Sequence, residues 1–192
     1  MRYGFVTPAV ITITGFAGTG KSTISTQLST YFQIPRLEVD TLRDVIRKSE
    51  EFSGDDGNST GLTKDVIFAL AHSFLSCGVS VVLDIHMWHI RDWNRLHQLI
   101  ADSGEVAAYK FILDCPYEVC AERVEARYRR EPGHSLGRHN LAAHKFKWES
   151  LYALNIPDAI RIDATQSPVE VFQEIIQHLD ISQGSTSYTL PA

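Results

Sequence analysis

At 192 residues, 44% of them hydrophobic, the chain has material for one buried core and too little for two ordinary domains. A formal charge of -5 speaks against a protein that coats nucleic acid through a broad basic surface, and leaves room only for a local basic patch. Three cysteines (Cys77, Cys115, Cys120) without a CxxC pair point to free thiols in a reducing compartment, the cytoplasm, and no apolar run reaches the ~18 residues of a spanning helix.

Apolar runs of strand length alternate with segments of helical period, the pattern of a parallel sheet with helices on both faces. The strand candidates are Ala9–Thr14, Arg36–Val39, Val79–Asp84, Val106–Leu113 and Ala159–Ile162. A helix over Lys21–Phe32 follows a glycine-rich loop, and a short one is expected over Leu42–Lys48. Thr63–Ser76 carries Val66, Ile67, Leu70 and Phe74 on one stripe and stops before Gly78. Arg91–Ser103 repeats the device, with Trp93, Leu96 and Ile100 on one face and Gly104 as its stop. Ser167 caps a last helix opened by Pro168. Ser49–Gly61 is acidic and rich in glycine and serine, and reads as a loop. Arg127–Asn140 is an arginine- and histidine-bearing irregular stretch, and long irregular segments in compact domains often serve as lids. One domain over 1–180 is expected, with a lid at about 127–141 and a loose polar tail over 181–192.

Gly15-Phe16-Ala17-Gly18-Thr19-Gly20-Lys21-Ser22 satisfies the phosphate-loop pattern GxxxxGK[ST], between a buried strand and an amphipathic helix as the pattern requires. The glycines let backbone N–H groups turn inward around phosphate oxygens, and the helix that follows offers its positive end to the same anion. Lys21 is placed to reach the β- and γ-phosphates, Ser22 to hold Mg²⁺ through its hydroxyl, and Thr23 to complete the nucleotide site.

Asp40 stands just after the second strand, on the sheet edge where strand C-termini gather beside the phosphate loop. Phosphoryl transfer to an alcohol needs a group that orients the hydroxyl and accepts its proton, which suits Asp40; an N-cap role for a helix starting at Thr41 is the competing use. Arg43, one helical turn on, suits an anionic group of the acceptor. Asp84 ends the strand "VVLD", the form of a second acidic motif that binds Mg²⁺ directly or through water. His86 and His89 lack a third metal ligand and read as substrate or solvent contacts; His139 and His144 receive no role. Arg123, Arg127 and Arg130 recur along one helical face, either as a lid that neutralises phosphoryl charge or as a solvated face paired with Glu122 and Glu125.

Taken in order, GxxxxGKS, "DTLR", "VVLD" and "RVEARYRR" resemble the P-loop kinases of the nucleoside-monophosphate-kinase-like group. The likeness is to polynucleotide 5′-hydroxyl kinase domains and to the zeta-toxin-like and chloramphenicol-phosphotransferase-like small kinases, over about Ile11–Leu179. The resemblance implies a three-layer α/β P-loop NTPase fold with a five-stranded parallel sheet and an arginine-bearing lid. It also implies ATP with Mg²⁺, catalytic roles for Lys21, Asp40 and Arg127, Arg43 as an acceptor-side anchor, and an adenine-flanking loop over Asp163–Pro168. "IHMW" after Asp84 departs from the "TN" that often follows this aspartate in polynucleotide kinases. The expected reaction is ATP-dependent phosphorylation of a small-molecule hydroxyl. A polynucleotide 5′-hydroxyl kinase and a regulatory ATPase without an acceptor are the alternatives.

Overall fold

The computed structural model describes residues 2–48, 56–131, 141 and 144–184. In chain order the elements are β1 (Arg2–Phe5), β2 (Ala9–Gly15), α1 (Lys21–Phe32), β3 (Arg36–Glu38), α2 (Val39–Arg47), α3 (Asp56–Ser76) and β4 (Val81–Asp84). They continue with α4 (Ile90–Asp102), β5 (Ala107–Asp114), α5 (Tyr117–Arg130), α6 (Lys145–Ala153), β6 (Ala159–Asp163), α7 (Pro168–Gln177) and β7 (Ile181–Gly184). Five strands form a sheet in the order β3-β4-β2-β5-β6, every pair parallel.

Three layers follow from the alternation of side chains along the buried strands. Ile11 and Ile13 of β2 join Phe111 and Leu113 of β5 and the apolar faces of α1, α5 and α7 in one cluster. Val10 and Ile112 point the other way, into a second cluster with α3, α4 and Leu151 of α6. β2 is buried along its whole length and sits between β4 and β5, so the loop that leaves it emerges at the middle of the sheet's C-terminal edge. That edge is where ligands bind in open α/β sheets.

The five expected strands form, shifted by one or two residues at their ends. Among the helices, α2 starts at Val39 rather than Leu42. α3 reaches back to Asp56, so residues 56–61 of the expected loop are helical while 49–55 lie outside the described residues. The α6 helix was not anticipated, although Trp148, Leu151 and Tyr152 mark its inward stripe. The tail expected from residue 181 begins instead with β7, which pairs antiparallel with β1 from Arg2↔Gly184 to Phe5↔Ile181. Backbone pairing with the first strand, and packing of Phe5 and Ile181 against the core, order a segment whose composition alone reads as loose. Ser167 caps α7 in a full capping box with Glu170, as its sequence suggests. Among the described residues, no helix is long and apolar enough to cross a membrane.

Candidate active site

The turn from β2 into α1 is held by its own side chains and by two glycines with positive φ. Thr19 Oγ1 donates to the carbonyl of Phe16 at 2.8 Å, and Lys21 Nζ donates to the same carbonyl at 2.9 Å. Gly20, with φ 89°, is the N-cap of α1, and Gly18, with φ 87°, lies so close to α5 that a Cβ there would stand 2.5 Å from the carbonyl oxygen of Cys120. Both positions need glycine, one for its backbone angle and the other for that angle and the missing side chain. These contacts and backbone angles give the phosphate loop its shape.

A cleft of about 180 Å³ opens above this loop. Its floor is Ala17, Gly18, Gly20, Lys21, Ser22 and Thr23; Asp40 and His86 form one wall, and Arg123, Arg127 and Arg130 the other. Four separate elements therefore deliver their polar groups to one space. A second cavity of about 360 Å³ continues from Gly18, Thr19 and Thr23 past Arg123 and Arg130 to Ala164, Gln166 and Pro168, which lie on the loop expected to flank adenine. Gly15 and Phe16 line neither cavity: a Cβ on Gly15 would meet Thr19 Oγ1 and the Leu113 carbonyl, and Phe16 is buried in the core, edge-on to Trp88.

Charges in the cleft shape one another. Burial pushes the Lys21 ammonium below its ordinary pKa, with Asp84 and Asp40 partly opposing the fall. For Asp40 burial opposes ionisation, yet His86, Arg43 and Lys21 together hold its carboxyl well below the usual carboxylate range. It is ionised at neutral pH and lines the cleft above the loop. Asp40 lies in the first turn of α2, whose N-cap is Glu38, so the competing capping role is not the one it plays. Arg43 pairs with it at 2.6 Å, is itself buried, does not line the cleft, and keeps its Nε without a hydrogen-bond partner.

Asp84 is also not among the residues lining the cleft. Its Oδ2 receives Ser25 Oγ at 2.8 Å and Arg36 at 2.7 Å, while Arg36 Nε also reaches Ser25 Oγ at 2.7 Å. This triangle draws the carboxylate one helical turn below Ser22. Ser25 and Arg36 were missed in the sequence because neither belongs to a motif; the β3–β4 register, with Arg36 opposite Val82 and Glu38 opposite Asp84, is what brings them together. Ser22 on the cleft floor fits a Mg²⁺ carried by a nucleotide. Asp84, with one oxygen committed, fits it best through water. Among the described residues no cluster of three His, Cys, Asp or Glu side chains forms a separate metal site.

The arginines divide in role. Arg123 donates to the carbonyls of Ala164 and Thr165 at 2.7 and 3.3 Å, tying α5 to the loop after β6. Arg127 and Arg130 extend from the last turn of α5 over the cleft. The next part of the expected lid, residues 132–140 including His139, lies outside the described residues, whereas His144 is the N-cap of α6 and His89 that of α4.

The AAA domain family model (AAA_33) matches residues 10–151. A search of curated proteins returned no significant match. Among solved structures, a sugar kinase from a Janibacter species superposes with a TM-score of 0.67 at 20% identity, covering 92% of this chain and 96% of the other. The tunicamycin resistance protein of Deinococcus radiodurans gives 0.60 at 15% identity, covering 92% and 99%. A gluconokinase from Sinorhizobium meliloti gives 0.56 at 19%, covering 88% and 90%. The fold is thus the α/β fold of small P-loop kinases. With the family match running from the first core strand through the phosphate loop and the arginine helix to α6, the chain belongs to the AAA domain family AAA_33.

Proposed function

We propose that the protein is an ATP-dependent kinase that transfers the γ-phosphoryl group to a hydroxyl of a small-molecule acceptor. The observation that carries this reading is the shared cleft, with the ionised Asp40 on one wall, Lys21 and Ser22 on the floor and the α5 arginines opposite. A triphosphate bound by the loop amides would present its terminal group between these walls. The acceptor oxygen attacks the γ-phosphorus, the bond to the β-phosphate oxygen breaks, ADP leaves, and the hydroxyl proton passes to the Asp40 carboxylate.

Each group has a physical task. In a loose phosphoryl-transfer transition state little proton motion precedes bond cleavage, so a carboxylate held far below neutral pKa serves first by orienting the hydroxyl. Lys21 gives up the Phe16 carbonyl for phosphate oxygens, and Arg127 and Arg130 neutralise charge that spreads over the moving group. Ser22 directly, and Asp84 through water, would hold a Mg²⁺ arriving with the nucleotide, and that ion would offset charge on the phosphates. Arg43 pairs with Asp40 and does not line the cleft, so its part in this reading is to hold that carboxylate. The superposed structures, a sugar kinase and a gluconokinase among them, support a small-molecule acceptor. The formal charge of -5 disfavours a polynucleotide, since polymer binding draws most of its affinity from phosphate contacts. Three free thiols, two of them buried, support a cytoplasmic setting.

The test is transfer from labelled ATP to a panel of small alcohols, sugars, nucleosides and a 5′-hydroxyl oligonucleotide. Asp40→Asn is expected to lower transfer by about 10²- to 10⁴-fold while calorimetry shows MgATP binding retained. Normal transfer by that variant would overturn the role given to Asp40. Hydrolysis that no acceptor stimulates would favour a regulatory ATPase.

A further inference from the structure

We propose that His86 is a positioning residue, whose Nε2 hydrogen is directed at Asp40 and fixes the carboxylate that lines the cleft above the phosphate loop. The inference rests on the reading of Asp40 as the acceptor-side carboxylate, and gives that residue the means of its orientation.

The backbone around His86 has little freedom. The next residue, Met87, donates its N–H to Thr14 Oγ1 of β2 at 3.2 Å, and its carbonyl accepts from the buried Trp93 indole of α4 at 3.2 Å. The ring is equally confined. It stacks on Trp88 with centroids 4.9 Å apart and planes 18° from parallel, and the Lys147 ammonium of α6 sits 5.3 Å from the centre of that indole. A side chain held at both backbone and ring can impose its geometry on a neighbour.

That neighbour is Asp40. His86 Nε2 lies 3.5 Å from Asp40 Oδ1, the same oxygen that Arg43 approaches at 2.6 Å. Asp40 Oδ1 is buried, and neither contact has full hydrogen-bond geometry, so the pair has room to close when a hydroxyl arrives. Two partners on Oδ1 direct Oδ2 to the acceptor.

The tautomer follows from the other ring nitrogen. His86 Nδ1 is buried without a hydrogen-bond partner. A hydrogen there would be a buried donor with nothing to receive it, whereas a hydrogen on Nε2 meets a carboxylate. Protonating both nitrogens would leave a buried donor at Nδ1 with nothing to receive it. Lys21 from α1 lines the same cleft, so a second positive charge on this ring would face it. His86 therefore holds Asp40 without cancelling its charge, which a second cation beside Arg43 would do.

The experiment is ¹⁵N NMR of the full-length labelled protein with MgADP, which needs no acceptor. At neutral pH His86 is expected to carry its proton on Nε2, and Asp40→Asn should shift the resonance of that nitrogen. An Nδ1-protonated ring, or one indifferent to Asp40→Asn, overturns the proposal. With any acceptor from the panel, His86→Leu should reduce kcat about tenfold or more with KM for ATP unchanged, and His86→Gln, which keeps an N–H donor, should restore most of it. Equal kcat for His86→Gln and His86→Leu, or wild-type kcat in both, also overturns it. If Asp40→Asn is inactive while both His86 variants match wild type, His86 alone is misassigned; if Asp40→Asn transfers normally, the kinase base itself is wrong.

Discussion

At the scale of single residues, two glycines separate backbone necessity from backbone convenience. Gly18 combines a left-handed φ with backbone of α5 at van der Waals range, so Gly18→Ala would force the phosphate loop and Cys120 apart. The expected cost is about 2–4 kcal/mol, read as a melting temperature roughly 10 °C lower with loss of nucleotide binding. Gly61 lies inside α3 with open space where a Cβ would go. Gly61→Ala should therefore raise stability by about 0.5–1 kcal/mol, and calorimetry of the two variants should show opposite signs. The loop was legible in the sequence because its chemistry is written in eight consecutive positions. The place of Asp40 on the cleft wall was legible because it follows a strand-length run on the edge where strand C-termini gather. The triangle of Ser25, Arg36 and Asp84 was not, because only strand register and one helical turn bring those three side chains within 2.8 Å of one another.

At the scale of elements, α3 and α4 are joined by a buried ion pair, Lys64 Nζ to Asp92 Oδ2 at 2.6 Å. Asp92 is fully buried and its Oδ1 has no hydrogen-bond partner, so the pair is finely balanced against desolvation. Lys64→Met should cost about 3–5 kcal/mol by stranding the carboxylate, and adding Asp92→Leu should recover most of that loss, as urea unfolding of the single and double variants would reveal. The core strands were readable from β-branched runs that bury both faces. β1 and β7 were not, since "RYGF" and "ISQG" are four-residue segments that, among the described residues, pair with each other from far apart in the chain. The α6 helix escaped notice because no glycine stop or capping pattern frames it. Its consequence is chemical as well as structural, since it supplies Lys147 above the indole against which His86 packs.

At the scale of the whole molecule, the titrating groups set a direction for stability against pH. His86, His97 and His144 all have pKa values lowered from the ordinary 6.5, chiefly by burial. As pH falls below 6.5 the unfolded chain takes up protons that the folded one refuses, so stability declines on that side. Asp40 adds to the same trend lower down: its contribution is complete above the ordinary carboxylate pKa and is lost as pH falls towards its depressed folded value. A thermal scan should show a melting temperature that drops between pH 6.5 and 5. The drop should be smaller in His86→Gln, because burial acts most strongly on His86 of the three. An unchanged slope in that variant would assign the acid sensitivity elsewhere.

The grip of Arg123 on the Ala164 and Thr165 carbonyls makes the two halves of the nucleotide site mechanically one. A nucleobase that sat badly against that loop would tug on the helix bearing Arg127 and Arg130. Discrimination among purines would then surface in turnover more than in affinity, and ATP and GTP would differ in kcat at similar KM.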